Sequence, residues 1–125
     1  MHSIDLDTFE RLVDDGIEAL PRKFRARIEN LSFAVESRAT PDDLRSMGIG
    51  RGRTLLGVYR GVPLPQRGSG YQLTMPDRIV IFQEAHEQIA RDVGHLAELV
   101  THTVKHEVAH YFGISDARLR ELDAY

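Results

Sequence analysis

The sequence predicts an α+β fold, because helical periodicity at both ends of the chain encloses three stretches of strand character. The first of these stretches alternates apolar with polar residues. The other two are separated by "PLPQRGSG", whose prolines and glycines admit no regular element. At 125 residues, 42% apolar and 28% charged, the chain suits a single globular domain over residues 1–125 that buries its own core.

Each element has its own signal. Leu6, Phe9, Val13, Ile17 and Leu20 recur at helical spacing, Asp7 and Glu10 form the pattern of a capping box, and Pro21 marks the end of this first helix. Arg22, Lys23, Arg25 and Arg27 make a local basic run, expected as a solvated face because the net charge is −3. Leu31, Phe33 and Val35 then alternate with Ser32, Ala34 and Glu36, as in a half-buried strand. "TPDDLRSMG" reads as a capped helical turn closed by Gly48. "TLLGVYRGV" (residues 54–62) and "RIVIF" (78–82) suit an antiparallel pair, and Gly57 and Gly61 place the former at an edge or a bulge. From Glu84 the pattern is helical: a short piece to Asp92, a break at Gly94, and a longer helix over 95–112 whose buried stripe is Leu96, Val100, Val104 and Val108. Gly113 can stop that helix in a left-handed conformation, and Ser115 can cap a final short one.

Composition narrows the function classes. With no cysteine there is no disulfide framework and no thiolate, so any metal must be held by His, Asp or Glu. The first twenty residues are acidic and periodic, unlike a signal peptide, and no apolar run reaches bilayer length. The expectation is a cytoplasmic protein with no membrane partner and, given its negative charge, no nucleic-acid partner.

The chemistry concentrates in "HEVAHYFGISD". Residues four apart on a helix point the same way, so His106 and His110 can each put an imidazole nitrogen on one ion about 2.0–2.1 Å away. Gly113 lets the chain reverse, and Asp116 then falls where it could supply a third, oxygen ligand, a role expected ahead of the plain dipole role of an acidic residue at a helix start; Glu121 or Asp123 could substitute for it. Three protein ligands and an open fourth position define a catalytic Zn2+ site. Glu107 projects beside the ion rather than onto it, where a base for the metal-bound water would stand, and the reaction class that follows is hydrolysis of a peptide bond. His102 shares the same face but lies about 12 Å along the axis from His110, too far for a common ion. "HEQIA" (86–90) has the His-Glu pair without a second histidine and cannot chelate, so His86, like His2 and His95, is expected as a surface or core residue. Tyr59, Tyr71, Tyr111 and Tyr125 are all conceivable donors to a transition-state oxygen.

With these residues in view, the chain resembles the small bacterial zincin-like metallopeptidase family, formerly catalogued as a domain of unknown function. The resemblance runs through "SFAVES", "GVYRGVPL", "PDRIVIFQ" and the final "HEVAHYFGISD". It implies a minimal zincin fold, a small mixed sheet packed on helices with the active-site helix crossing it. The family motif H-E-x-x-H-x-x-G-x-x-D falls on His106, Glu107, His110, Gly113 and Asp116. The wider metzincin pattern adds a methionine-bearing turn, whereas here no methionine follows Met75, so the floor of the site must be built otherwise. In zincins a sheet edge beside the active-site helix commonly aligns an extended substrate, and "GVYRGV" is the candidate for that edge.

The expected function is therefore a zinc metallopeptidase acting on peptide or protein substrates. One alternative is a binding module stabilised by its metal and without catalysis. The other is a metal-dependent ribonuclease, against which stand Glu107 as a base, an aspartate as third ligand and the negative net charge.

Overall fold

The computed structural model describes residues 1–26, 28, 31–48, 55–60, 77–115, 117 and 118. Along them run α1 (Leu6–Glu18), α2 (Arg22–Arg25), β1 (Leu31–Glu36), α3 (Pro41–Ser46), β2 (Gly57–Arg60), β3 (Asp77–Phe82), α4 (Gln83–Ile89) and α5 (Val93–Tyr111). The strands form one sheet in the order β1-β3-β2. β3 pairs parallel with β1, Phe33 opposite Ile79, and antiparallel with β2, Tyr59 opposite Ile79, so the sheet is mixed. Pairing runs through Gly57 without an inserted residue, and β2 has one strand neighbour among the described residues. Among the described residues the strand therefore stands at the edge of the sheet, one of the two roles expected for it, while Gly61 lies outside them.

β3 is central, and its alternate side chains serve two cores. Ile79 and Ile81 meet Phe9 and Val13 of α1 and the Leu96, Val100, Val104 and Val108 stripe of α5. Val80 and Phe82 meet Val58 and Ala85 on the opposite face. Burying each such side chain contributes ~1.5–3 kcal/mol against its exposed reference. This explains why "RIVIF" is a nearly unbroken apolar run while β1 only alternates: β3 is covered on both faces.

The helix starts differ in detail from the sequence expectation. α1 is capped by Asp5, which accepts from the Thr8 N–H at 2.7 Å, and Asp7 lies in the first turn instead of acting as the cap. Asp5 comes one residue before the helix and so keeps the extended backbone that a cap needs, and Asp7 still complements the dipole. Leu6, the first residue of the expected stripe, is half exposed. Arg22, Lys23 and Arg25 of the basic run lie in the short α2, exposed except for a partly buried Phe24, with Arg25 paired to Glu18, while Arg27 lies outside the described residues. At α3 the capping box is present, Thr40 with Asp43 and Pro41 in the first turn. The break before the long helix falls at Ala90 to Asp92 rather than at Gly94, because Asp92 caps α5 by accepting from His95 N–H at 2.8 Å. Gly94 costs little in a first turn whose N–H groups have no intrahelical partner in any case.

On the sheet face away from α5, Arg60 of β2 grips both oxygens of Asp43 at 2.7 and 2.9 Å and reaches Glu36 of β1 at 3.5 Å. Burial pushes the Asp43 carboxyl up, but the Thr40 hydrogen bonds and Arg60 outweigh it and hold the group below its ordinary range. Among the described residues no helix is long and apolar enough to cross a membrane.

Candidate metal centre

α5 has two buried stripes. The apolar one packs on α1, and a second, Thr103, Glu107 and Tyr111 at four-residue spacing, faces β2. β2 comes close because Gly57 has no side chain: a Cβ there would lie 2.8 Å from Thr103 Cγ2 and 3.4 Å from Glu107 Cγ. Any larger residue would push the strand away from the helix turn that carries Glu107.

His106 and His110 stand beside this buried stripe, both partly exposed. Their rings meet edge to face with centroids 4.7 Å apart. One donor atom from each of His106, Glu107 and His110 lies within 4.8 Å of the others, a space of the size that one ion and its ligands fill. Glu107 is 5% exposed, and its Oε1 accepts no hydrogen bond. His110 Nδ1 is 3.4 Å from that oxygen, near it without hydrogen-bond geometry. A buried carboxylate oxygen without a donor costs upward of ~1–3 kcal/mol, and a cation or a proton beside it removes that cost. Two imidazoles and a carboxylate, with no thiolate, are a donor set that fits zinc.

The helix ends as the glycine predicts. Gly113 has φ +83°, its N–H donates to His110 O at 2.9 Å, and Ile114 N–H donates to Ala109 O at 2.9 Å, a Schellman closure that turns the chain back directly after the second histidine. Ser115 Oγ then accepts from Arg118 N–H at 3.1 Å, the expected cap. Asp116 lies outside the described residues, as do Glu121, Asp123, Gly61, Tyr71 and Tyr125.

Of the remaining candidates, His102 is exposed with its ring centroid 6.3 Å from that of His106, in line along the helix and outside the cluster. The Tyr59 hydroxyl donates to Asp77 Oδ2, which commits its proton, and Tyr111 is fully buried with its ring 5.9 Å from that of Tyr59. His86 is a core residue, one of the two outcomes expected of it. Its Nδ1 faces Phe82 O and its Nε2 faces Thr103 Oγ1, each at 2.8 Å. Thr103 and Asp77 carry no periodic or motif signal linking them to these partners, and sequence reasoning passed over both.

A mixed sheet packed on helices, with a histidine–glutamate–histidine cluster on a long helix set against β2, makes an α+β fold with a candidate metal centre. The sequence matches the model of the zincin-like metallopeptidases over residues 28–125, and the chain belongs to that family. Zinc binding and hydrolase chemistry are what membership suggests. Among solved structures, the chain is similar to a conserved hypothetical protein from Thermo thermophilus, with TM-score 0.58 and 20% identity over 87% of this chain and 94% of that one, a likeness of fold alone. No curated protein matches the sequence significantly.

Proposed function

We propose that the chain is a zinc-dependent metallopeptidase that hydrolyses peptide bonds, with His106, His110 and Asp116 holding Zn2+ and Glu107 acting as the base. The observation that carries this reading is Glu107 Oε1, buried and without a donor while a donor atom of each imidazole lies within 4.8 Å. Zinc would supply Lewis acidity there, activating water near neutral pH and polarising the substrate carbonyl. Among the described residues no donor hydrogen-bonds Glu107 Oε1, so that oxygen could take a proton from the attacking water and return it to the departing amine. Gly57 keeps β2 against the Glu107 stem, and an extended peptide adding to that edge would be aligned beside the base. A peptide also suits a chain of net charge −3 better than a polyanion would, and the absence of cysteine suits the cytoplasm.

The test is elemental analysis of untagged protein purified without chelator, beside His106→Ala, followed by peptide turnover with Glu107→Gln as control. About one zinc per chain in the parent, none in His106→Ala, and turnover abolished by Glu107→Gln with zinc retained is the expected result. A folded parent that neither holds nor takes up zinc overturns the reading. Zinc retained by a parent that cleaves no peptide would leave a metal-stabilised binding module instead.

A further inference from the structure

α5 has to present two imidazoles and a carboxylate in fixed directions, yet its apolar stripe of Leu96, Val100, Val104 and Val108 cannot do this alone. Apolar contact is non-directional, and a smooth aliphatic face permits small rotations and slides of the helix. A directional contact between α5 and the core is made at Thr103. Thr103, one turn before Glu107 on the same stripe, places its hydroxyl 2.8 Å from His86 Nε2. His86 has no exposed surface and is anchored at its other nitrogen, 2.8 Å from the carbonyl of Phe82 at the end of the central strand. The Phe9 ring of α1 packs edge-on against the imidazole with centroids 5.8 Å apart.

The proton inventory makes this a chain with one direction. A carbonyl can only accept, so Nδ1 carries the hydrogen that goes to Phe82 O. Burial pushes the imidazole below its ordinary pKa although the Phe82 carbonyl acts the other way, so near neutral pH the ring is uncharged and Nε2 is an acceptor. The Thr103 hydroxyl has a single proton for two acceptors, His86 Nε2 and Leu99 O at 3.0 Å, and with the neutral ring it goes to Nε2. The γ-methyl of the same threonine lies 2.8 Å from where a Cβ on Gly57 would be, so one side chain meets both the brace from the central strand and the backbone of β2.

We infer that His86, acting through Thr103, is a positioning residue for the metal centre: it ties the turn of α5 before His106, Glu107 and His110 to the central strand and so sets the direction in which the ligands point. This inference rests on the metal-centre reading above. Neither residue touches the ion or the substrate. A brace that only stabilised the fold would lower stability and leave zinc affinity unchanged, and that difference is measurable.

The experiment is zinc affinity by chelator competition in the full chain, with circular dichroism to confirm folding, for the parent, Thr103→Val, Thr103→Ser and Thr103→Ala. Thr103→Val keeps the methyl and removes the hydroxyl, and it is expected to weaken zinc binding about tenfold, the lower end of the effect of losing partners that orient metal ligands. Thr103→Ser restores the hydroxyl and is expected to bind within about twofold of the parent. If Thr103→Val does not fold, serine against alanine makes the same comparison, since both lack the methyl and only serine donates. Equal affinity with and without the hydroxyl in folded proteins overturns the inference while leaving the metal centre standing. A folded parent without zinc affinity overturns both.

Discussion

The chain contains the dipeptide His-Glu twice, at 86–87 on α4 and at 106–107 on α5, and the two copies are wired in opposite ways. Glu87 and Glu107 are almost equally buried, at 7% and 5% exposed. Glu87 Oε2 is met by Ile4 N–H at 2.8 Å, Gln83 Nε2 at 3.1 Å and Ser3 Oγ at 3.3 Å, so its charge is spent on holding the N-terminal segment to α4. Glu107 Oε1 is met by no donor. The histidines differ in burial, since His86 is sealed in the core with its nitrogens facing Phe82 O and Thr103 Oγ1, while His106 is partly exposed beside His110. Identical chemistry thus divides into a structural copy that is satisfied within the fold and a copy that leaves a carboxylate oxygen for something from outside it. The second pattern is what a site requires, because a group already saturated by the protein has nothing left to offer a ligand.

The comparison can be broken most sharply at the histidines. His106→Ala should abolish stoichiometric zinc, whereas His86→Gln should retain it at reduced affinity; elemental analysis that found zinc unchanged in His106→Ala would erase the distinction. Next in size, Glu107→Gln should keep zinc and lower peptide turnover by roughly 10²–10⁴-fold, the usual contribution of a positioned base. The two glutamates should also separate in the metal-free protein. Glu87→Ala leaves Ile4 N–H without its acceptor and Gln83 Nε2 with only the Ile4 carbonyl, and it should cost ~1–3 kcal/mol in urea unfolding, while Glu107→Gln, at an oxygen that accepts no hydrogen bond, should leave stability level or raised. Gly57→Ala belongs in the same range, a loss of ~1–3 kcal/mol, because its new methyl meets Thr103 Cγ2 at 2.8 Å and the Val80 carbonyl at 3.1 Å.

The smallest expected effect is on pH dependence. His86 has a lowered pKa in the fold, caused first by desolvation, against an ordinary value of about 6.5 when unfolded. Between the two values the unfolded chain binds the extra proton, so stability rises with pH there. The contribution is full above about 6.5 and is lost as pH falls from that value through the lower folded pKa. Urea titrations of metal-free protein at neutral and mildly acidic pH should show this loss, and His86→Gln should reduce it; an equal slope in both proteins would mean that His86 is not the group responsible.

Much of the molecule was legible in the residues. Alternation identified β1, an apolar run between breakers identified β3, and helical spacing identified α1 and α5, because in each case burial on one face or on two leaves a period in the chain. Thr40 with Asp43, Gly48 and Gly113 announced their caps and turns, since those roles depend on a few neighbouring atoms. The pairing of His106 with His110 was equally local, a matter of helix pitch. Cap choice at Asp5 and the break before Asp92 were displaced by a residue or two, the scale at which competing local caps differ by little energy.

What the sequence determined by itself is therefore the element pattern, the motif and the kind of ion its donors prefer. Tertiary structure alone decided that β1 runs parallel to β3, that the first His-Glu pair is a core brace and the second a candidate site, and that Gly57 is the point where β2 meets α5. Those outcomes depend on contacts between residues 17 to about 50 apart, such as His86 with Thr103 or Gly57 with Glu107, for which no period or spacing exists along the chain. Whether a buried polar group is satisfied is a property of the assembled interior, and it is what separates Glu87 from Glu107.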